Sequence, residues 1–488
     1  MVFLLSAIFL IGNVVRAQMD LADEPLLAKI KPAPANIMFL LDDSSSMTLE
    51  VLIKGAYEGR YPEPENGSEE NGYFYIFDYL NDGASTESLR YMGTEGRKLW
   101  QSQYFDQNVM YYNPQANYEP WPEYPGKKLG PADTEYPKSH PTKSNVQTLD
   151  LDGESFSVPI KKADGTESNL EVKHAHYFVT SEQGLPYLVV IDGGLKDLVY
   201  YRVVEIDGTG FKQKVTKVEK VKADALAEGL ASNRGYEEER QNFANWFTFH
   251  RRRQYVAIDS IARVIKKLKG VRVGILGING NIIVPLKPVN LWKDGIFVDE
   301  TGELLRDLYA YDSEGTTPLR EGLNDVGRYY QSNTKILEHF RGNRVAGDEP
   351  PFYSEADGGA CQRSYTIIMT DGYYSYDKKE LGVGNADGDN RSDYDGDFYA
   401  DTLEETLADV AMYYYENDLS AILENRVCDS QHLQKRTPDT APHQHMTTYA
   451  IAFGVSGTLN PNIFSNDWTS ENYLKDSNGD YPVWPTNI

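Results

Sequence analysis

The sequence predicts an α/β protein: a doubly wound, mostly parallel sheet, with a large β-rich insertion between its first strand and first helix. Three observations carry this reading. Short apolar runs such as Ile37–Leu41 and Tyr365–Met369 stop at Asp42 and Thr370-Asp371, the pattern of strands buried on both faces of a parallel sheet. Stretches of helical periodicity alternate with such runs after residue 236. Between them, residues 48–235 are dense in Tyr, Pro, Gly and Asp.

Taken in order, the apolar run from Val2 to Val15 is too short for a stable span and suits a signal-peptide core, with cleavage expected before Gln18. Residues 1–17 are therefore read as a leader and 18–488 as the exported protein. Asn36–Leu41 is the first buried strand. In the insertion, Tyr111–Pro122 must be extended, because each proline biases its predecessor away from helix. Tyr187–Ile191 and Leu198–Ile206 flank Asp192-Gly193-Gly194 as an antiparallel hairpin. From Tyr236, the spacing of Phe243, Phe247, Ile258, Ala262, Ile265 and Leu268 predicts a helix closed by Lys269-Gly270. Strand Val271–Ile278, helix Pro318–Tyr330, strand Tyr365–Met369, a helix from about Asp401 to Asp418 and strand Met446–Val455 complete the pattern.

Composition narrows the function. The 488 residues carry a formal charge of −25, which argues against nucleic acid and against anionic lipid surfaces. No later segment is long enough to span a membrane. Thirty-five tyrosines point toward an exposed binding surface, although packing accounts equally well for the Tyr and Trp clusters near residues 104–124. Two cysteines, Cys361 and Cys428, form one candidate disulfide and exclude a structural zinc site of their own.

The sharpest chemistry lies at the carboxyl ends of the predicted strands, where open α/β sheets bind ligands. Asp42, Ser44 and Ser46 follow the first strand, Thr317 sits in a loop before a helix, and Asp371 ends a later strand. Together they offer five hard oxygen ligands from three loops, suited to Mg²⁺, Mn²⁺ or Ca²⁺, with a coordination position left open. No Gly-x-Ser-x-Gly elbow and no phosphate loop occurs, so no catalytic residue is assigned. A second candidate cation site, for Ca²⁺, is the acidic loop Asp393, Asp395, Asp397, Asp401 and Glu404, although Phe398 stands where a calcium loop expects glycine. The His174/His176 and His443/His445 pairs read as hydrogen-bonded structural histidines.

The order Asp-x-Ser-x-Ser, Thr, Thr-Asp-Gly resembles the metal-ion-dependent adhesion site of von Willebrand factor A domains. Tyr111-Tyr112-Asn113-Pro114, Tyr118-Glu119-Pro120-Trp121, the segment 241–247 (QNFANWF), Gly315–Arg320, Leu407–Tyr415 and Gln444–Thr448 are similar to the N-terminal half of the type IV pilus biogenesis and tip-adhesin family (PilY/PilC type). The resemblance runs from about Ile37 to Val455. It implies an exported protein at the pilus tip or outer cell surface, with pilins and a host or surface receptor as partners. It also implies that a partner's carboxylate completes the shell of a divalent cation, and that the protein is not an enzyme. Members of the family typically continue into a β-propeller with a calcium loop, and none is read in these residues. The alternatives are a cell-surface metal-dependent hydrolase and a structural envelope protein whose metal only rigidifies three loops.

Overall fold

The computed structural model describes residues 33–53, 59–61, 72–77, 91–162, 164–180, 184–227, 229–293, 295–332, 336–340, 343–346, 350–372, 380–392, 394, 400–427, 439, 441–453 and 477. The leader segment 1–17 lies outside them.

Strand β1 (Asn36–Leu41) opens the chain's central sheet. A one-turn helix α1 (Gly93–Gly96) follows, then β2 (Glu154–Lys161), β3 (Glu167–Lys173), β4 (His176–Val179), β5 (Tyr187–Asp192), β6 (Asp197–Asp207) and β7 (Lys214–Val221). Helices α2 (Tyr236–Phe249) and α3 (Arg253–Lys267) lead to β8 (Val271–Gly277), β9 (Ile283–Val289) and the small hairpin β10 (Leu291–Lys293) with β11 (Ile296–Val298). Helices α4 (Thr301–Leu308) and α5 (Leu319–Tyr330), the ribbon β12 (Ile336–Phe340) with β13 (Asn343–Ala346), strand β14 (Ser364–Thr370), helix α6 (Leu407–Glu416) and β15 (Met446–Ala452) complete the order.

The central sheet runs β15-β14-β1-β8-β9, parallel throughout except for the antiparallel β8–β9 edge. Strand β1 sits in the middle, and its side chains alternate between two cores as the pleat requires. Met38 and Leu40 pack with Leu276, Ile278 and Ile368 against Leu319, Leu323 and Val326 of α5 and Val410 and Tyr414 of α6. Phe39 and Leu41 pack with Val273 and Ile275 against Ile258, Ile261, Ala262 and Ile265 of α3 and Leu304, Leu305 and Leu308 of α4. Burying each such side chain contributes about 2 kcal/mol, so both helical layers are held by the same apolar runs visible in the sequence.

Residues 48–235 contain a second sheet of six strands, ordered β3-β2-β7-β6-β5-β4 and antiparallel except where β2 meets β7. The expected hairpin is β5–β6, with Tyr187 opposite Arg202 and Ile191 opposite Leu198. One face of α2, carrying Phe243, Ala244, Trp246 and Phe247, packs into a core with Tyr111, Tyr112, Tyr177, Val189 and Ile191.

Three expectations require correction. The helix predicted from Tyr236 to Leu268 is two helices, because His250 (φ −139°, ψ −5°) and Arg252 (φ −110°, ψ 150°) leave the helical region. Helix α6 starts at Leu407, not near Asp401, since Thr406 and Asp409 form a reciprocal capping box that fixes its first turn. Among the described residues most of the large aromatics serve packing and not an exposed surface: Tyr111, Tyr112, Trp121, Tyr177, Tyr255, Tyr309 and Tyr330 are all buried, while Tyr136, Trp292 and Tyr449 are exposed. Several polar ends of the buried rings are used internally, as when Trp121 Nε1 donates to Phe249 O (2.8 Å) and Tyr111 Oη donates to His176 O (2.8 Å).

Candidate functional site

The three predicted loops meet at the carboxyl edge of the central sheet. Strand β1 ends at Leu41 and β14 at Thr370, and the two pair in register, so Asp42 and Asp371 emerge beside each other. Asp42 N donates to Met369 O (2.8 Å), which extends the ladder into the site. Beyond it the chain turns: Ser44 N donates to Asp42 Oδ1 (3.0 Å), and the Ser44 and Ser46 hydroxyls lie 2.9 Å apart. The Thr317 loop is stitched to this turn. Glu314 N donates to Asp43 O (2.7 Å), Ser45 N to Gly315 O (3.1 Å) and Gly315 N to Ser45 Oγ (3.2 Å).

Asp42, Ser44, Thr317 and Asp371 are buried and Ser46 is partly exposed. Thr370 Oγ1 donates to Asp42 Oδ2 (2.7 Å) and receives Gly372 N (3.0 Å). Burial, and then the nearby negative charge of Asp371, push the Asp42 carboxyl up to about 6 against the hydrogen bonds from Ser44 and Thr370. Two buried carboxylates therefore lie close together. Asp371 Oδ2 accepts from Arg253 Nη1 (2.5 Å), whereas its buried Oδ1 has no hydrogen-bond partner among the described residues. No group of three His, Cys, Asp or Glu placed to hold a metal occurs among the described residues, so any cation here would rest on two carboxylates and the Ser and Thr hydroxyls.

Asp43 is a neighbour of different character. Its Oδ1 accepts from Asn279 N (2.7 Å) and its Oδ2 from Asn281 N (2.8 Å), so it ties the β8–β9 turn to the site. Burial raises its pKa and those amides oppose the rise. The approach requires glycine at 277, where a Cβ would stand 2.0 Å from Asp43 Oδ2.

With this geometry in view, comparison with known proteins is informative. The chain is 26% identical over 257 residues to the type IV pilus biogenesis factor PilY1 of Pseudomonas aeruginosa strain PAK, covering 48% of this chain and 21% of that protein. It is 26% identical over 296 residues to PilY1 of strain PAO1, covering 51% and 24%. It is 27% identical over 176 residues to PilY1 of strain UCBPP-PA14, covering 33% and 14%. About half of this chain is PilY1-like. The aligned parts span no more than a quarter of those relatives' own length. No family model matches the chain, and no solved structure matches it.

The other predicted positions fall as follows. Of the acidic loop, Asp393, Asp395 and Asp397 lie outside the described residues. Asp401 Oδ1 accepts from Leu403 N (2.7 Å), Glu404 is exposed, and α6 begins only after the Thr406 cap, so the helix follows later than a calcium loop requires. Cys361 closes a short turn before β14, at the sheet edge opposite Asp371; Cys428 lies outside the described residues. The histidines are hydrogen-bonded: His443 Nε2 to Tyr415 O (2.8 Å), His445 Nε2 to Asp439 Oδ2 (3.2 Å), His174 Nδ1 to Asp150 O (2.8 Å) and His176 Nδ1 to Lys173 O (2.6 Å).

Sequence reasoning missed Arg253 and Thr370. Thr370 was legible as part of Thr-Asp-Gly, but only Asp371 of that motif was given a role. Arg253 carried no signal, since an arginine inside a helical pattern reads as a solvated face.

Proposed function

We propose that this chain is an exported, pilus-associated adhesion or assembly protein with a von Willebrand A-like domain. In this reading Asp42, Ser44, Ser46, Thr317 and Asp371 form a divalent-cation site that accepts a carboxylate from a partner, a pilin or a surface receptor. The likeness to PilY1 supports the pilus connection. The observation that carries the metal reading is Asp371 Oδ1, a buried carboxylate oxygen without a hydrogen-bond partner among the described residues, beside a second buried carboxylate. A buried carboxylate oxygen left without a partner is costly even when Arg253 pairs with the other oxygen, and a cation beside it removes that cost.

The residues fit such an ion by type. All five present oxygen, the preference of Mg²⁺ and Ca²⁺. When bound, the ion would supply an electrostatic anchor for an incoming carboxylate. The chain's own residues do the rest. The Ser44–Ser46 contact holds two hydroxyls side by side, Thr370 fixes the rotamer of Asp42, and Asp43 locks the supporting turn. Two carboxylates and three hydroxyls leave an octahedral ion a coordination position that a partner's Asp or Glu can fill.

Calorimetric titration of Mg²⁺, Mn²⁺ and Ca²⁺ into chelator-treated protein tests this, alongside Asp42→Ala and Asp371→Ala variants checked for folding by circular dichroism. One saturable event lost in both variants is the expected result. Binding that persists unchanged in both sinks the reading and moves the cation elsewhere.

A further inference from the structure

The break between α2 and α3 sends three consecutive arginines into the interior. Arg251 and Arg253 are fully buried and Arg252 nearly so. Arg251 Nε donates to Glu50 Oε1 (2.9 Å), and the other oxygen of Glu50 accepts from Ile76 N and Phe77 N (3.0 and 3.1 Å). That pair belongs to the architecture. Arg253 belongs to the site. Its Nη1 reaches Asp371 Oδ2, while its Nε and Nη2 donate to Val51 O (3.1 and 2.7 Å). Val51 lies five residues beyond Ser46, on the segment that carries the two serine hydroxyls. One guanidinium therefore bridges the Asp371 end of β14 and the loop leaving β1.

We propose that Arg253 is a tethered counter-ion that sets how strongly the site holds its cation; this rests on the metal reading above. Arg253 occupies one oxygen of Asp371 and leaves the other presented, so it positions the ligand. It also places a full positive charge beside the same buried carboxylates, where Coulomb interactions are weakly screened. Positioning would favour the cation and like-charge repulsion would oppose it. Repulsion between buried charges a few ångströms apart outweighs the loss of one orienting hydrogen bond, so Arg253 keeps the affinity low. It also neutralises Asp371 when no cation is bound, which stabilises the cation-free fold. The device yields a site that binds weakly alone and strongly only when a partner's carboxylate adds its own charge.

The test compares wild type, Arg253→Gln and Arg253→Lys by Mg²⁺ calorimetry and by melting temperature, in chelator and in saturating Mg²⁺. Arg253→Gln removes the charge and keeps an amide donor. It should melt lower in chelator, bind Mg²⁺ about ten- to a hundredfold more tightly, and gain more from the ion than wild type does. Arg253→Lys keeps the charge without the fork and should bind no more tightly than wild type. A purely structural arginine would not raise affinity on removal. Wild type that binds Mg²⁺, with affinity unchanged or weakened in Arg253→Gln, overturns this inference alone. Failure of wild type and Arg253→Gln alike to bind overturns the metal reading too. Binding seen only in Arg253→Gln supports the inference. If Arg253→Gln does not fold, tighter binding by Arg253→Lys than by wild type overturns it.

Discussion

His176 illustrates what burial does to a single side chain. It lies between the rings of Phe156 and Phe178, at centroid distances of 5.5 and 5.9 Å, with Nδ1 against Lys173 O and no room for hydration. Burial holds its pKa down, from 6.5 to about 3. The sign follows from linkage: the unfolded chain takes up the proton more readily, so stability is full above pH 6.5 and drains away as pH falls toward 3. A His176→Gln variant should show a shallower loss of melting temperature between pH 6.5 and pH 4; an unchanged slope would refute the assignment. Trp121 and Tyr111 make a related point. An amphipathic ring reads equally well as adhesive surface or as core, and only the backbone carbonyl that each polar end meets decides between them. That the loops carrying Asp42, Ser44, Ser46 and Asp371 lie together was legible because β1 and β14 end at one sheet edge. Arg253 was not, because its role depends on a chain break that no local propensity announces.

At the scale of elements, the contact of α5 with α6 is set by absence of side chain. At Gly327 a Cβ would stand 2.3 Å from the Tyr414 ring, which is pinned by a hydrogen bond from its hydroxyl to Asn324 Oδ1 (2.8 Å). Alanine is better than glycine in a helix by about 1 kcal/mol, but overpacking a fixed ring costs about 1–3 kcal/mol. Gly327→Ala should therefore be net destabilising in a denaturant melt, and a neutral or stabilised variant would show that α6 can shift away. Strands β1 and β8 were readable because a strand buried on both faces needs an uninterrupted apolar run, whereas β14 is half-buried along one face and β15 lies at the exposed sheet edge. The start of α6 was misplaced because acids from Asp401 to Glu405 suit the approach to a helix amino end. The decisive signal, Thr406 with Asp409 three residues later, was present in the sequence and outweighed by charge pattern. Register and neighbour order in the six-stranded sheet had no such local signature.

Across the whole molecule, the central sheet and residues 48–235 share a wall in α2. Its Phe243, Trp246 and Phe247 belong to the core formed with Tyr111, Tyr177 and Ile191, while the chain continues directly into α3 against the central sheet. Excising residues 48–235 strips the apolar face of α2 and removes Glu50 and Ser139, whose oxygens hold the Arg251 guanidinium. The shortened chain should aggregate on gel filtration; a monodisperse product with native near-ultraviolet dichroism would show that the sheet stands alone. The same wall has a consequence for how such a sequence can drift. Asn242 accepts from Tyr118 N and donates to Ala116 O, Asn245 accepts from Ala132 N and donates to Tyr118 O, and Trp246 donates to Met110 O. The Asn242, Asn245 and Trp246 side chains thus answer to a distant, irregular backbone, while Phe243 and Phe247 answer to packed rings. A substitution there has two unrelated masters to satisfy, whereas one at an exposed β3 position such as Asn169 has fewer demands to meet. A saturation library should accordingly leave this heptapeptide almost silent while the surrounding insertion fills with variants, which makes it the tag by which remote kin can be traced after the rest has become unrecognisable.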